Sequence, residues 1–294
     1  MEKLSVRFWR GVVLAYVRWF PINRGKRRLM ETMAPLYAGS EPQICVLPGG
    51  ARLCADIGEH VQRWIYFFGV YEEDTVRWFR KQLGAGMVVL DVGAHVGQYS
   101  LIAATDVGPG GRVHSFEPNP ISNRRLSTNV DLNGFRNVTV HQLAVSDTIG
   151  EATLFIPSHD NLGEASLQAG EQGGQQVKVR CVTIDDWARS ADLGSRPRID
   201  VMKIDVQGLE GKVLKGAHDV LTRFRPVIVC EFEERFLRGM GTSSVELKGK
   251  LVDMGYSIHR IGPSGLLPVR TDQVHEFENL ILVPTALPPG AIAT

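Results

Sequence analysis

Short, largely apolar runs that end in an acid recur along this chain. Val88-Val89-Leu90 closes on Asp91, residues 113–116 on Glu117, 199–204 on Asp205 and 226–230 on Glu231. Continuous runs of this length mark strands covered on both faces, as in parallel sheets. Between them the apolar spacing turns helical, at Leu101, Ile102, Ala103 and Ala104, then over 118–133, 209–221 and 245–254. Residues 138–143 alternate and read as the third strand, whose tip carries Ala144. Residues 256–261 and 277–283 read as the last two strands, an antiparallel hairpin on the sheet edge. The pattern predicts an α/β fold with a doubly wound, mostly parallel, seven-stranded sheet.

Ahead of the sheet, residues 1–20 combine Leu4, Phe8, Trp9, Val12, Val13, Val17, Trp19 and Phe20 with Lys3, Arg7, Arg10 and Arg18 at helical spacing. That describes a helix with a wide apolar face and a narrow basic stripe, stopped by Pro21. Arg10 and Arg18 break the run short of the roughly 18 residues a membrane span needs, and no small-residue cleavage site completes a signal peptide. Two placements stay open. Residues 1–28 lie on an anionic membrane surface, or the arm packs on its own domain or on a second subunit in a homodimer. Runs at 43–47 and 52–57 around Pro48-Gly49-Gly50 predict a small β-hairpin extension. Residues 60–68 are amphipathic, and Tyr71-Glu72-Glu73-Asp74 opens a further helix that ends at Gly84 or Gly86. Strand-like runs at 151–156 and 176–182 enclose a polar stretch with His159 and a Gly/Gln-rich segment, suited to a lid or substrate loop. The chain thus divides into an arm (1–40), a lead-in (41–86), a main domain (87–285) and a tail (286–294).

Composition refines this picture. The 294 residues, 44% hydrophobic, suffice for one sizeable core and a small accessory region. Residues 1–30 carry eight basic side chains against Glu2, a balance of +7 that leaves −6 for the rest of a chain whose net charge is +1. The near-neutral total argues against a nucleic-acid partner, whose phosphates require a basic face, although the arm could partly supply one. Cys45, Cys54, Cys181 and Cys230 show no metal-ligand spacing. They read as reduced thiols of a cytoplasmic protein, peripheral at the inner membrane face if the arm meets lipid, and no metal is expected.

The chemistry concentrates after the first acid-ended run. Asp91-Val92-Gly93-Ala94-His95-Val96-Gly97 is a glycine-rich turn into a helix, with Gly93 free to take a positive φ and admit a ligand. The spacing is not the Gly-x-Gly-x-x-Gly of dinucleotide sites, and Asp91 would repel a pyrophosphate. A cation that also bears a carboxylate suits the turn better, and S-adenosylmethionine is such a ligand. Glu117, at the tip of the next strand, can hold both hydroxyls of its ribose. Pro118 then opens the following helix. Tyr71 and Glu72 either complement a helix dipole or reach the methionine end.

The ordered set "YEE", "VVLDVGAHVGQYSL", "VHSFEPNP", "LAVSD", "VTIDDW", "MKIDVQGLEGKVLKGA" and "PVIVCEFEE" resembles the FkbM-type methyltransferase family, over roughly residues 60–235. The resemblance implies a Rossmann-like domain that uses S-adenosylmethionine to methylate hydroxyls of sugars, glycolipids or natural products. It puts Asp91, Gly93, Ala94, His95 and Gly97 in the methionine-side loop, with Glu72 near it. Glu117 and Pro118 fall at the ribose, Asn119 and Ala144 beside the adenine, and Asp205 before the transferred methyl. Asp205 is then the leading base, or the partner of the ligand's ammonium, with Glu231 and His159 as alternates. Two positions depart from the pattern: His95 stands where Asn is usual, and Gln207 where Glu is common, which weakens any mechanism or metal site that needs an acid there. A small-molecule or glycan acceptor is the expected partner. A protein or nucleic-acid methyltransferase and a non-catalytic, membrane-associated scaffold are the other readings.

Overall fold

The computed structural model describes residues 4–20, 25–157, 161–167, 174–193, 196–263 and 265–285. Leu4–Trp19 forms α1 and Lys26–Thr32 α2; Gln43–Val46 (β1) pairs with Arg52–Ala55 (β2), and His60–Phe68 (α3) and Glu73–Gln82 (α4) follow. In the hairpin Cys45 faces Leu53 and Cys54 faces Ile44, so the two thiols are not cross-strand partners. The arm buries Val13 and Val17 in the core that α3 and the hairpin share, and the Arg18 guanidinium donates to the Tyr66 carbonyl at 2.9 Å. One face of α1 thus packs on its own domain, while Phe8, Trp9, Trp19 and Phe20 stay exposed. Among the described residues no helix is long and apolar enough to cross a membrane.

The main domain alternates β3 (Val88–Val92), α5 (Gln98–Val107), β4 (Arg112–Phe116), α6 (Pro120–Asn133) and β5 (Val138–His141). Then come β6 (Ala144–Val145), β7 (Gly150–Ile156), β8 (Gln175–Val182), α7 (Ile184–Ser190) and β9 (Val201–Ile204). The chain continues through α8 (Glu210–Lys215), α9 (His218–Phe224), β10 (Val227–Glu233), α10 (Glu234–Gly239), α11 (Ser244–Asp253), β11 (Tyr256–Gly262), β12 (Gly265–Pro268) and β13 (Phe277–Pro284). The large sheet runs β12-β11-β13-β10-β9-β3-β4-β5, with β10, β9, β3, β4 and β5 mutually parallel and β13 antiparallel to both neighbours. Every residue of β3 is buried, as a central strand covered on both faces requires. The sequence order reverses between β3 and β9, so their carboxyl ends form the switch point where such sheets bind ligands.

Four details differ from the sequence reading. The sheet has eight strands, because Gly265–Pro268 folds back on β11 as the outermost strand. The last two long strands do pair antiparallel at this end of the sheet, with the final one inside: Leu280, Ile281 and Leu282 are fully buried between β10 and β11, whereas β11 carries Ser257, His259 and Arg260. The single helix expected over 209–221 is two, α8 and α9, broken at Gly216, where a Cβ would stand 2.2 Å from the Ser146 carbonyl oxygen. The helix expected from Pro118 begins at Pro120, with Asn119 as its cap. Ala144 leaves β5 for a separate three-stranded sheet, β6-β8-β7, which contributes Ala144, Val145 and Leu154 to the cavity described below. The tail 286–294 and residues 168–173 lie outside the described residues.

Candidate active site

The turn after β3 is fixed by backbone packing. Gly93 has φ 83°, and a Cβ there would lie 1.7 Å from the carbonyl oxygen of Asp205. This glycine lets the exits of β3 and β9 touch, and it also lines the cavity. Gly97 caps α5 at φ 97°, and a Cβ would meet Leu126 Cδ1 at 2.4 Å. His95 takes φ 50°, a left-handed conformation in which His and Asn are enriched. Its backbone N–H donates to Glu117 Oε2 at 2.7 Å, and the Asn119 N–H donates to Oε1 at 2.8 Å.

Burial raises the Glu117 carboxyl to about 7, although those two N–H donors pull it down. A bound ribose diol donates to the ionised form and lowers this value again, so binding releases a proton. S-adenosylhomocysteine affinity is therefore expected to hold above about pH 7 and to fall by up to about tenfold per unit below it. Calorimetry across pH 5.5–8.5, in buffers of different ionisation enthalpy, reads both the slope and the proton. A flat profile contradicts the Glu117 contact.

The centre of the site is one buried cation among carboxylates. Lys203 of β9 pairs in register with Asp91 of β3, is 6% exposed, and donates from Nζ to Asp205 Oδ2 at 2.8 Å while standing 4.8 Å over the Tyr99 ring. Burial alone would drive the Lys203 ammonium down, but the charges of Asp205 and Asp91 hold it above its ordinary value. Burial likewise pushes Asp205 up, yet Lys203 and a hydrogen bond from Gln207 keep it below the usual carboxylate range. Asp91 is raised by burial; its Oδ2 accepts from the Ser100 hydroxyl at 2.5 Å. Glu72, itself left-handed at φ 57°, accepts from Tyr99 Oη at 2.9 Å and Asn279 Nδ2 at 2.6 Å. The Gln207 amide donates to Asp205 Oδ1 at 2.9 Å and to Glu231 Oε1 at 3.4 Å. An amide at this position bridges two carboxylates that a third acid would repel. Burial and the charges of Asp205 and Glu72 raise Glu231 well above its ordinary value.

These groups surround a cavity of about 220 Å³ at the β3/β9 switch point. Of the residues expected at the site, Glu72, Gly93, Ala94, His95, Glu117, Pro118, Ala144, Asp205 and Glu231 line it. Asp91, Gly97 and Asn119 stand behind the wall. Asp91 is clamped by Ser100, Gly97 packs on α6, and the Asn119 side chain accepts from the Ile121 N–H at 3.0 Å. His159 lies outside the described residues. Residues 161–167 border the opening, held by a hydrogen bond from the Ser166 hydroxyl to the Gln207 carbonyl at 2.9 Å. Lys203, Tyr99 and Asn279 were not anticipated. A lysine in an apolar strand, two residues before Asp205 on the same face, was the available signal for Lys203; nothing local marked Asn279, which reaches Glu72 from 207 residues away.

The donor set fits S-adenosylmethionine. Glu117 offers a carboxylate to a diol, Glu72 and Asp205 provide negative charge for an ammonium, and Asp91 Oδ1 is buried beneath the turn with no partner. Residues 91–258 match the family model described as the methyltransferase FkbM domain. The chain belongs to that family.

The hexuronic acid methyltransferase AglP of Haloferax volcanii is 28% identical over 158 residues, covering 54% of this chain and 61% of its own length. The 31-O-demethyl-FK506 methyltransferase FkbM of Streptomyces tacrolimicus is 29% identical over 176 residues, covering 50% and 66%. The AMB antimetabolite synthetase AmbE of Pseudomonas aeruginosa is 30% identical over 226 residues, 64% of this chain and 10% of that protein. The chain thus spans less than two thirds of the length of these relatives. Among solved structures, an FkbM methyltransferase from Methylobacillus flagellatus overlaps 76% of this chain and 52% of its own, at 19% identity and a TM-score of 0.44.

Proposed function

We propose that this protein is an S-adenosylmethionine-dependent O-methyltransferase acting on a neutral polyhydroxyl acceptor, such as a sugar or a hydroxylated natural product. The observation that carries it is the convergence of Glu117, Asp205 and Glu231 on one cavity at the switch point. When bound, the cofactor supplies a methyl carbon on a sulfonium, whose C–S bond breaks, leaving its electrons on sulfur, as the acceptor C–O bond forms. The chain's part is to hold the reactants in line and to take the hydroxyl proton. Asp205, held ionised by Lys203, suits an orienting role. Glu231, pushed the other way, is the better proton acceptor; two carboxyls driven apart in this manner divide the roles between them.

Charge supports a neutral acceptor. Glu72, Glu164, Asp205, Glu231 and Glu233 border the cavity, and Lys203 is the single lysine or arginine among the described residues lining it. Residues 157–176 contain no lysine or arginine either. Transfer of labelled methyl from the cofactor to matched neutral and carboxylated sugars tests this reading. Neutral glycosides are expected to react at least about tenfold faster, since an unpaired acid in this site costs upwards of 1.4 kcal/mol. Preferential methylation of the uronic acids overturns it, and cofactor binding without transfer to any acceptor supports the scaffold reading.

A second part of the proposal concerns the arm. Exposed Phe8, Trp9, Trp19 and Phe20, in a segment rich in Arg and Lys, suit peripheral attachment to an anionic membrane surface.

A further inference from the structure

Beside the arm, a second cavity of about 730 Å³ opens between α1, α2, β1, α3 and α4. Its wall holds three cations, Arg18, Lys26 and Arg27, against Glu73, which is paired with Arg77 at 2.5 Å. Lys26 is 8% exposed, yet among the described residues no hydrogen bond or ion pair reaches its ammonium. The stem of Lys26 is covered while its ammonium reaches the open groove, where an anion can pair with it. The Arg27 guanidinium stands 5.5 Å over the Trp64 ring on the same wall. The rest of the wall is apolar, and Ile44 and Val46 face outward at 53% and 60% exposure. Cations at one part of a groove and exposed aliphatic side chains at another match a molecule with an anionic head and a hydrocarbon tail.

We infer that this groove binds one anionic phospholipid, its phosphate on Lys26 with Arg18 and Arg27, and its acyl chain along Ile44 and Val46. This deepens the membrane reading of the arm by giving it a stoichiometric site, and it is independent of methyl transfer.

The test uses the full chain and vesicles of phosphatidylcholine with or without 30% phosphatidylglycerol, plus calorimetry with monomeric short-chain phosphatidylglycerol and with inorganic phosphate. Lys26→Met keeps the apolar stem and is expected to weaken phosphatidylglycerol-vesicle binding at least about tenfold, as loss of a charge-assisted hydrogen bond to a seated phosphate does. Arg28→Ala, on the exposed surface of α2, should cost only about fivefold, the ordinary contribution of one surface charge. Val46→Asp should abolish short-chain lipid binding while inorganic phosphate still binds. Equal losses for Lys26→Met and Arg28→Ala would show general electrostatics and overturn the site. So would short-chain lipid binding no tighter than inorganic phosphate. Circular dichroism confirms folding of each variant, and failure of the enzyme reading leaves these binding results unchanged.

Discussion

Lys203→Met should lower the free energy of unfolding by ~3–5 kcal/mol at pH 8, the cost of removing one partner from a buried ion pair and leaving the other. The methionine fills the space but leaves Asp205 without its 2.8 Å partner and Asp91 without its cross-strand cation. Wild-type Lys203 sits above its ordinary value, so its contribution is fully present below pH 10.5 and disappears only as pH rises through that higher folded value. In the variant the buried carboxyls instead take up protons more readily folded than unfolded. Its stability should therefore recover as pH falls from 8 towards 5, opposite to the usual acid destabilisation of paired carboxylates. Urea unfolding at both pH values reads this directly. A variant within about 1 kcal/mol of wild type at both would mean that the cation is not what holds the cluster together.

Glu231→Gln should reduce kcat by ~10²–10⁴ while changing cofactor affinity less than about threefold, the pattern of a lost general base rather than a lost binding contact. The substitution keeps the side chain's length and an oxygen within reach of the Gln207 amide, which now donates to Glu231 at 3.4 Å. Because burial and neighbouring acids raise Glu231, the wild-type rate should climb with pH through an apparent value above the ordinary carboxylate range, and the variant should lose that climb. Asp205→Asn should behave differently, weakening cofactor binding as well, because it also unseats Lys203. If Glu231→Gln keeps full rate and Asp205→Asn alone abolishes it without loss of binding, the two roles are reversed.

The main domain was legible because its strands are nearly continuous apolar runs and their tips carry the acids. Glu117, Asp205 and Glu231 could be placed on one rim from that pattern alone, with Asp91 just behind it. What the pattern hid was three-dimensional pairing. Gly93 reads as a ligand-approach glycine, and the sequence could not show its second requirement, the Asp205 carbonyl 1.7 Å from where a Cβ would stand, a contact between segments 112 positions apart in sequence. Asn119 reads as an adenine neighbour because it follows Glu117 and Pro118; its side-chain oxygen caps α6, while its buried amide nitrogen has no partner among the described residues. The insertion of β13 between β10 and β11 was hidden for a related reason. Adjacent apolar strands suggest a hairpin, and only the complete burial of Leu280–Leu282 shows which of the two lies inside. Lys203 was visible in the sequence, but its meaning depends on Asp91 lying beside it across two strands.

The most direct test of the central claim is calorimetric titration of the full chain with S-adenosylhomocysteine at pH 8, wild type against Glu117→Gln. Wild type should show one saturable site, weakened about 10- to 150-fold in the variant, as the loss of hydrogen bonds to a charged group implies. No heat of binding to folded wild-type protein, or the same affinity in both, would contradict it.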